Sequence, residues 1–126
     1  MTDDIKVSKN FMLSEFVSPD TNEVKATPGF GRLVKLLQQL RDQVGKPVTV
    51  TSGYRTPEHN AAVGGAAHSY HMQGLAADIV IAGMTSAQIA EVAKAVGFTG
   101  IGIYPTRGHC HVDVRPGPQV VFLGDK

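Results

Sequence analysis

The sequence has one cysteine and almost no net charge, and each scarcity excludes a class of protein. Twelve Lys and Arg residues stand against eleven Asp and Glu residues, so the formal net charge is +1. A chain with this balance and no basic run lacks the electrostatic footprint of a protein that binds nucleic acid or anionic lipid. The single cysteine excludes an internal disulfide framework and any zinc site built on two or more thiolates.

Long apolar runs are also lacking. No stretch approaches the ~20 apolar residues that a membrane span needs, so we expect no membrane insertion. The first ten residues, MTDDIKVSKN, are polar and precede no apolar segment, and we therefore expect synthesis in the cytoplasm without a signal peptide.

Apolar residues nevertheless make up 42% of the chain, and their spacing predicts one α+β domain over residues 1–126. Apolar positions three and four apart predict a helix from about Phe30 to Gly45, and the capping-box sequence at Thr85 predicts a second helix that ends at Gly97. We expect these two main helices to pack on a small antiparallel sheet. Shorter patterns predict a helical turn at 13–17, a short helix at 58–63, strands at 47–51, 74–81, 100–104 and 109–115, and a turn at 105–108.

All five histidines lie between His59 and His111. Side chains alternate between the faces of a strand, so in the strand at 109–115 one face carries His109, His111, Asp113 and Arg115, while the other face is apolar. Imidazole and carboxylate groups side by side suit a zinc site, in which a second carboxylate orients a ligand ring.

A second cluster consists of His71 and Asp78, because a buried aspartate is costly unless it is paired or bound to a metal. Each feature has an ordinary interpretation too: a strand histidine is often half-exposed, Asp78 alone would be satisfied by backbone amides, and Arg55 is then an ordinary surface arginine. The combination makes a metal site as plausible as these ordinary interpretations, and we expect His59 and His68 to be bystanders.

Several motifs occur in an order that resembles the M15 peptidase family, the zinc D-Ala-D-Ala carboxypeptidases and endolysin endopeptidases that cut peptidoglycan peptides. The resemblance covers about residues 10–116. It is carried by Ser52-Gly53-Tyr54-Arg55-Thr56-Pro57, by Ser69-x-His71-x-x-Gly74-x-Ala76-x-Asp78, by Gly100-Ile101-Gly102-Ile103-Tyr104-Pro105 and by His111-Val112-Asp113.

The resemblance implies the hedgehog/D-Ala-D-Ala peptidase fold and a Zn²⁺ ion held by His71, Asp78 and His111. It implies that Arg55 binds the substrate carbonyl and stabilises the developing oxyanion, and that Ser69 binds substrate. The implied reaction is hydrolysis of a peptide bond of the peptidoglycan stem peptide by metal-activated water, as a carboxypeptidase or as an endolysin-type endopeptidase.

The sequence departs from several better-known members of the family at one position. Those members carry a catalytic Asp or Glu three residues before the last histidine ligand, where this chain has Gly108. The candidates for the general base are His109, which we rank first, and Asp113, which we expect mainly to orient an imidazole.

The alternative to an enzyme is a zinc-holding binding module or a phage structural or tail domain, because the hedgehog signalling domain resembles the same fold and holds zinc without a clear need for hydrolysis. For the enzyme, we expect a monomer that acts on the bacterial cell wall after lysis, after holin-assisted release or within a phage assembly.

Overall fold

A computed structural model describes residues 4–124, which form a mixed α+β architecture of seven strands and three helices. The predicted α+β class is confirmed. Two 3₁₀ helices, at Leu13–Phe16 and Tyr70–Gln73, complete the regular structure of the described residues. The elements in chain order are β1 (Lys6–Ser8), β2 (Phe11–Met12), α1 (Pro28–Val44), β3 (Thr49–Ser52), α2 (Pro57–Ala62), β4 (Ala76–Val80), α3 (Ser86–Val96), β5 (Gly100–Ile103), β6 (Cys110–Asp113) and β7 (Val120–Leu123).

The two main helices begin and end where their capping residues predict. The Thr27 side chain accepts a hydrogen bond from the Phe30 amide at the start of α1, and Gly45 ends this helix in the left-handed region with φ of 66°. At α3 the Thr85 and Gln88 side chains form the predicted capping box, and Gly97 follows the last turn with φ of 104°. Both helix predictions are confirmed.

The main sheet has five strands in the order β3-β4-β6-β5-β7. The first three pairings are antiparallel, as predicted, but β5 and β7 run parallel. The expectation of an antiparallel sheet is therefore wrong at this edge. The chain leaves β6, passes β5 and returns on its far side, and no local pattern in a four-residue strand specifies the direction of such a return.

One face of the main sheet packs against the helices. Ile79, Ile101 and Val112 are fully buried there, together with Leu37 of α1 and Ile89 of α3. Residues that alternate with these along the strands point to the opposite face, which leaves that face available for a polar site. Among residues 4–124, no helix combines the length and the apolar character required to cross a membrane.

Candidate metal centre

The opposite face of the sheet holds a row of paired residues that crosses all five strands. Asp78 of β4 pairs with Ser52 of β3 on one side and with His111 of β6 on the other, and Gly102 of β5 links His111 to Phe122 of β7. The antiparallel register of β4 and β6 thus makes a carboxylate and an imidazole direct neighbours, although they are 33 positions apart in the chain.

The third member of the cluster, His71, comes from the 3₁₀ helix Tyr70–Gln73. The Ser69 side chain caps this helix by accepting a hydrogen bond from the His71 amide, and Gly74 ends it with φ of 72°. The Arg55 amide donates to the His71 carbonyl oxygen at 3.1 Å, which ties the short helix to the segment after β3.

His71, Asp78 and His111 converge so that one potential ligand atom from each lies within 4.8 Å of the others. Asp78 Oδ1 is 3.2 Å from His71 Nε2 and 3.3 Å from His111 Nδ1. The three residues are only 3%, 7% and 8% exposed, respectively. The structure therefore brings together, in a buried position, the three residues predicted as metal ligands.

The hydrogen bonds of the two imidazoles show which ring nitrogens are available to a metal. His71 Nδ1 lies 2.8 Å from the carbonyl oxygen of Gly53, which can only accept, so this nitrogen carries the proton. His111 Nε2 donates to the Asp113 carboxylate at 2.7 Å. The remaining nitrogens both face Asp78 Oδ1, and three acceptors at this separation repel one another unless a cation, a proton or a metal ion, lies among them.

Two imidazole nitrogens and one carboxylate oxygen fit zinc. Three protein donors of these types are the set found in catalytic rather than structural zinc sites. A carboxylate or carbonyl that accepts the other N–H of each ligand histidine is the usual support of such sites, and both supports are present here.

The charges of the cluster are strongly coupled. Burial raises the pKa of Asp78, but its contacts with the His111 and His71 rings outweigh that effect and hold the pKa well below its ordinary value. Burial lowers the pKa of His111, whereas its contacts with Asp113 and Asp78 raise it to a net value above the ordinary one. Both directions describe a site whose anionic oxygen attracts positive charge.

Arg55 lies beside the cluster and is held by three side-chain hydrogen bonds. Its Nη2 is 3.2 Å from Asp78 Oδ2, its Nε donates to Ser52 Oγ at 3.0 Å, and its Nη1 donates to Asn60 Oδ1 at 3.2 Å. The guanidinium therefore has a set direction next to the Asp78 carboxylate, and it also lines the adjoining cleft.

The two candidates for the general base occupy different environments. His109 lines the cleft, where its ring stacks on Tyr104 with centroids 4.3 Å apart and its Nε2 lies 3.9 Å from Asp78 Oδ2. The Ser86 hydroxyl, at the start of α3, donates to the His109 carbonyl oxygen and accepts from the Tyr104 amide, which holds both ends of the intervening turn.

Asp113, by contrast, is 0% exposed and does not line the cleft. Burial raises the pKa of Asp113, but hydrogen bonds from Arg115 and His111 lower it by more, so that the net pKa lies below the ordinary value. Its oxygens accept hydrogen bonds from these same two residues, an arrangement suited to orienting the His111 ring.

The cleft beside the cluster has a volume of about 400 Å³. The sequence motifs identified Ser69 and the histidine cluster on its walls but missed the aromatic side chains. Tyr70, Tyr104 and Phe122 also line it, and so does the exposed His68, which we expected to be a bystander. The alternation of side chains in the predicted strand at 109–115 placed Arg115 on the same face as the histidines. In the structure Arg115 also lines the cleft.

Comparison with known proteins points to one family. The family model described as Peptidase M15 matches residues 7–113. A zinc D-Ala-D-Ala carboxypeptidase of Streptomyces albus G is 40% identical over 80 residues, which cover 60% of this chain and 31% of that protein. The peptidoglycan L,D-endopeptidase MepK of Escherichia coli K12 is 34% identical over 102 residues, which cover 75% of this chain and 55% of that protein. The chain thus spans about a third to about half of these relatives.

Proposed function

Because this chain belongs to the Peptidase M15 family, we propose that it is a zinc metallopeptidase that hydrolyses peptide bonds of the peptidoglycan stem peptide. The observation that carries the proposal is the convergence of His71, Asp78 and His111 within 4.8 Å at the wall of the cleft. The relative named as a peptidoglycan L,D-endopeptidase supports the choice of substrate, and the relative named as a zinc D-Ala-D-Ala carboxypeptidase supports the choice of metal.

In the proposed site His71 Nε2, His111 Nδ1 and an oxygen of Asp78 would hold a zinc ion. Bound Zn²⁺ supplies Lewis acidity, which polarises a peptide carbonyl and makes water a better nucleophile at neutral pH. The protein supports it by fixing both ligand rings, His71 through the Gly53 carbonyl and His111 through Asp113.

We assign His109 as the general base. It lines the cleft and its Nε2 lies 3.9 Å from Asp78 Oδ2, so a water beside the metal ligands is within reach of its ring. His109 would accept a proton from the attacking water and return it to the leaving amine. Asp113 is buried behind His111, and its role in this proposal is to orient that ring.

Arg55 would stabilise the oxyanion that forms when the carbonyl is attacked. Its three hydrogen bonds hold the guanidinium in place before substrate arrives, which avoids reorganisation during the reaction. Ser69 also lines the cleft, and because its oxygen accepts from the His71 amide, its hydroxyl proton can be donated to the substrate backbone.

One observation favours a second candidate function, a zinc-holding binding module without hydrolytic activity. Gly108 stands where several family members have a catalytic carboxylate, and its φ is 84°. A β-carbon built there has no atom within 4 Å, so the space that a carboxylate side chain would fill is open. In this alternative His109 and Arg55 bind the stem peptide, which is not cleaved.

The decisive experiment measures new amino groups released from purified peptidoglycan by the zinc-loaded protein. We expect release by the wild type and none by His71→Ala. His59→Ala is the matched control, because His59 lies on α2 and does not line the cleft. Zero release by zinc-loaded wild type across several wall chemotypes would reject the enzyme and favour the binding module.

Mass spectrometry of the fragments would identify the bond and so distinguish a carboxypeptidase from an endolysin-type endopeptidase. The hedgehog/D-Ala-D-Ala peptidase fold, a single domain over residues 1–126, the phage setting with holin-assisted release and the monomeric state remain predictions.

A further inference from the structure

We propose that Arg115 is a positioning residue that joins the two segments carrying the histidines of the metal centre. The inference rests on the proposed function, because it assumes that His71 and His111 bind zinc. One guanidinium contacts Asp113, which holds the His111 ring, and also Tyr70, the neighbour of His71 in the 3₁₀ helix.

The contact with Asp113 is bidentate. Arg115 Nε donates to Asp113 Oδ1 at 2.9 Å, and Arg115 Nη2 donates to Oδ2 at 2.7 Å. The same Oδ2 accepts from His111 Nε2 at 2.7 Å. Parallel N–H···O bonds of this kind fix the plane of a carboxylate as well as its position, so Arg115 sets the direction from which Asp113 holds the imidazole.

The neighbouring backbone of β5 leaves little room around the Asp113 carboxylate. Gly100 of β5 pairs with Asp113, and a β-carbon built on Gly100 would overlap the carboxylate group. The carboxylate therefore lies against bare backbone and is 0% exposed. Without Arg115, the buried carboxylate loses the side chain that donates two parallel hydrogen bonds to it, and an unpaired buried charge is costly.

The second contact is with the Tyr70 ring. The Arg115 guanidinium carbon is 4.7 Å from the ring centroid, a distance typical of a cation–π interaction. Tyr70 immediately precedes His71, and the Leu75 amide donates to its carbonyl oxygen at 3.1 Å, which links the 3₁₀ helix to the chain that enters β4. Arg115 thus contacts both the 3₁₀ helix that carries His71 and the strand β6 that carries His111.

A purely structural role would give Arg115 the same contacts, so the test must report on the metal centre itself. We would measure the zinc dissociation constant by competition with a chelator, the visible absorption of the Co²⁺-substituted protein and the melting temperature of the metal-free protein. For Arg115→Met, which keeps an unbranched stem but removes the charge and the forked donors, we expect zinc binding weaker by about 10–100-fold and a changed Co²⁺ spectrum.

Arg32→Met is the matched control. Arg32 Nη2 donates to the carbonyl oxygen of Val114, the residue after β6, at 3.2 Å, but Arg32 does not line the cleft. We expect wild-type zinc affinity and Co²⁺ spectrum from it. Equal losses of zinc affinity in the two variants would mean that any disruption near β6 weakens zinc binding, and would overturn the inference.

Three further variants keep the inference falsifiable if Arg115→Met does not fold. Arg115→Lys keeps the charge without the two parallel donors, and we expect zinc binding weaker by about 3–10-fold. Tyr70→Leu removes the ring under the guanidinium and should weaken zinc binding, whereas Tyr70→Phe keeps the ring and should not. Wild-type affinity in Arg115→Lys and Tyr70→Leu would refute the role of Arg115. Failure of the wild type to bind zinc would instead refute the proposed function.

Discussion

Replacing Gly100 by alanine tests the packing beneath the metal centre most directly. The added β-carbon would overlap the Asp113 carboxylate, which is fully buried and bound to His111 and Arg115. The carboxylate must therefore shift away from β5, and its hydrogen bonds must lengthen or break. A methyl group added among apolar side chains would break no hydrogen bonds, because apolar contacts do not depend on direction as hydrogen bonds do.

The magnitude follows from two effects. Overpacking a close-packed position costs about 1–3 kcal/mol, and a hydrogen bond to a charged group contributes about 1.5–3 kcal/mol. Because the carboxylate can keep part of its hydrogen bonding as it moves, we expect a net loss of about 2–3 kcal/mol. For a chain of this size that loss lowers the melting temperature by roughly 6–15 °C.

The assay is unfolding in urea, followed for the metal-free and the zinc-loaded protein. Since a displaced Asp113 orients His111 less well, the gain in stability on adding zinc should also shrink in Gly100→Ala. Gly31→Ala is the control: Gly31 lies in α1, and a β-carbon there has no atom within 4 Å. Alanine should stabilise that helix position by about 0.5–1 kcal/mol.

An unfolding free energy of Gly100→Ala equal to that of the wild type, with an undiminished gain from zinc, would refute this reasoning. It would show that Asp113 does not lie against Gly100, and the explanation for a glycine at this position of β5 would be wrong.

Three other predictions concern catalysis, metal binding and pH. His109→Ala should lower kcat by about 10²–10⁴-fold with zinc content unchanged, and near wild-type rates in both this variant and Asp113→Ala would reject both candidate bases. Removing zinc with a chelator should lower the melting temperature, since a free zinc concentration 1,000 times Kd stabilises by about 4 kcal/mol; an unchanged melting temperature would indicate a metal-free structural domain. The pKa of Asp113 is lower in the folded protein than its ordinary value of 3.8, so its carboxylate stabilises the metal-free fold above that pH and the contribution is lost as pH falls below it. Asp113→Asn should flatten this acid dependence in urea unfolding, and an identical slope would contradict the assignment.

The helices were predictable from the sequence because their determinants are local. Thr27, Thr85 and the glycines at 45 and 97 act within one turn of the residues they cap. The strand at 100–104 was predictable for a similar reason, since an alternation of side chains with a period of two residues is visible within a few positions. The parallel pairing of β7 was not, because the direction of an edge strand depends on the path of the chain between distant elements.

The residue types alone restricted the donors available to a metal: with one cysteine, a site can include no more than one sulfur ligand, and the motifs singled out His71, Asp78 and His111. Which nitrogen of each ring faces Asp78 depends on the folded structure, because the Gly53 carbonyl and the Asp113 carboxylate hold the other nitrogen. The tertiary structure also decided that Asp113 lies behind His111 while His109 faces the cleft. The physical reason is that residue types are local, whereas hydrogen-bond direction and burial depend on strands and loops that meet only in the folded chain.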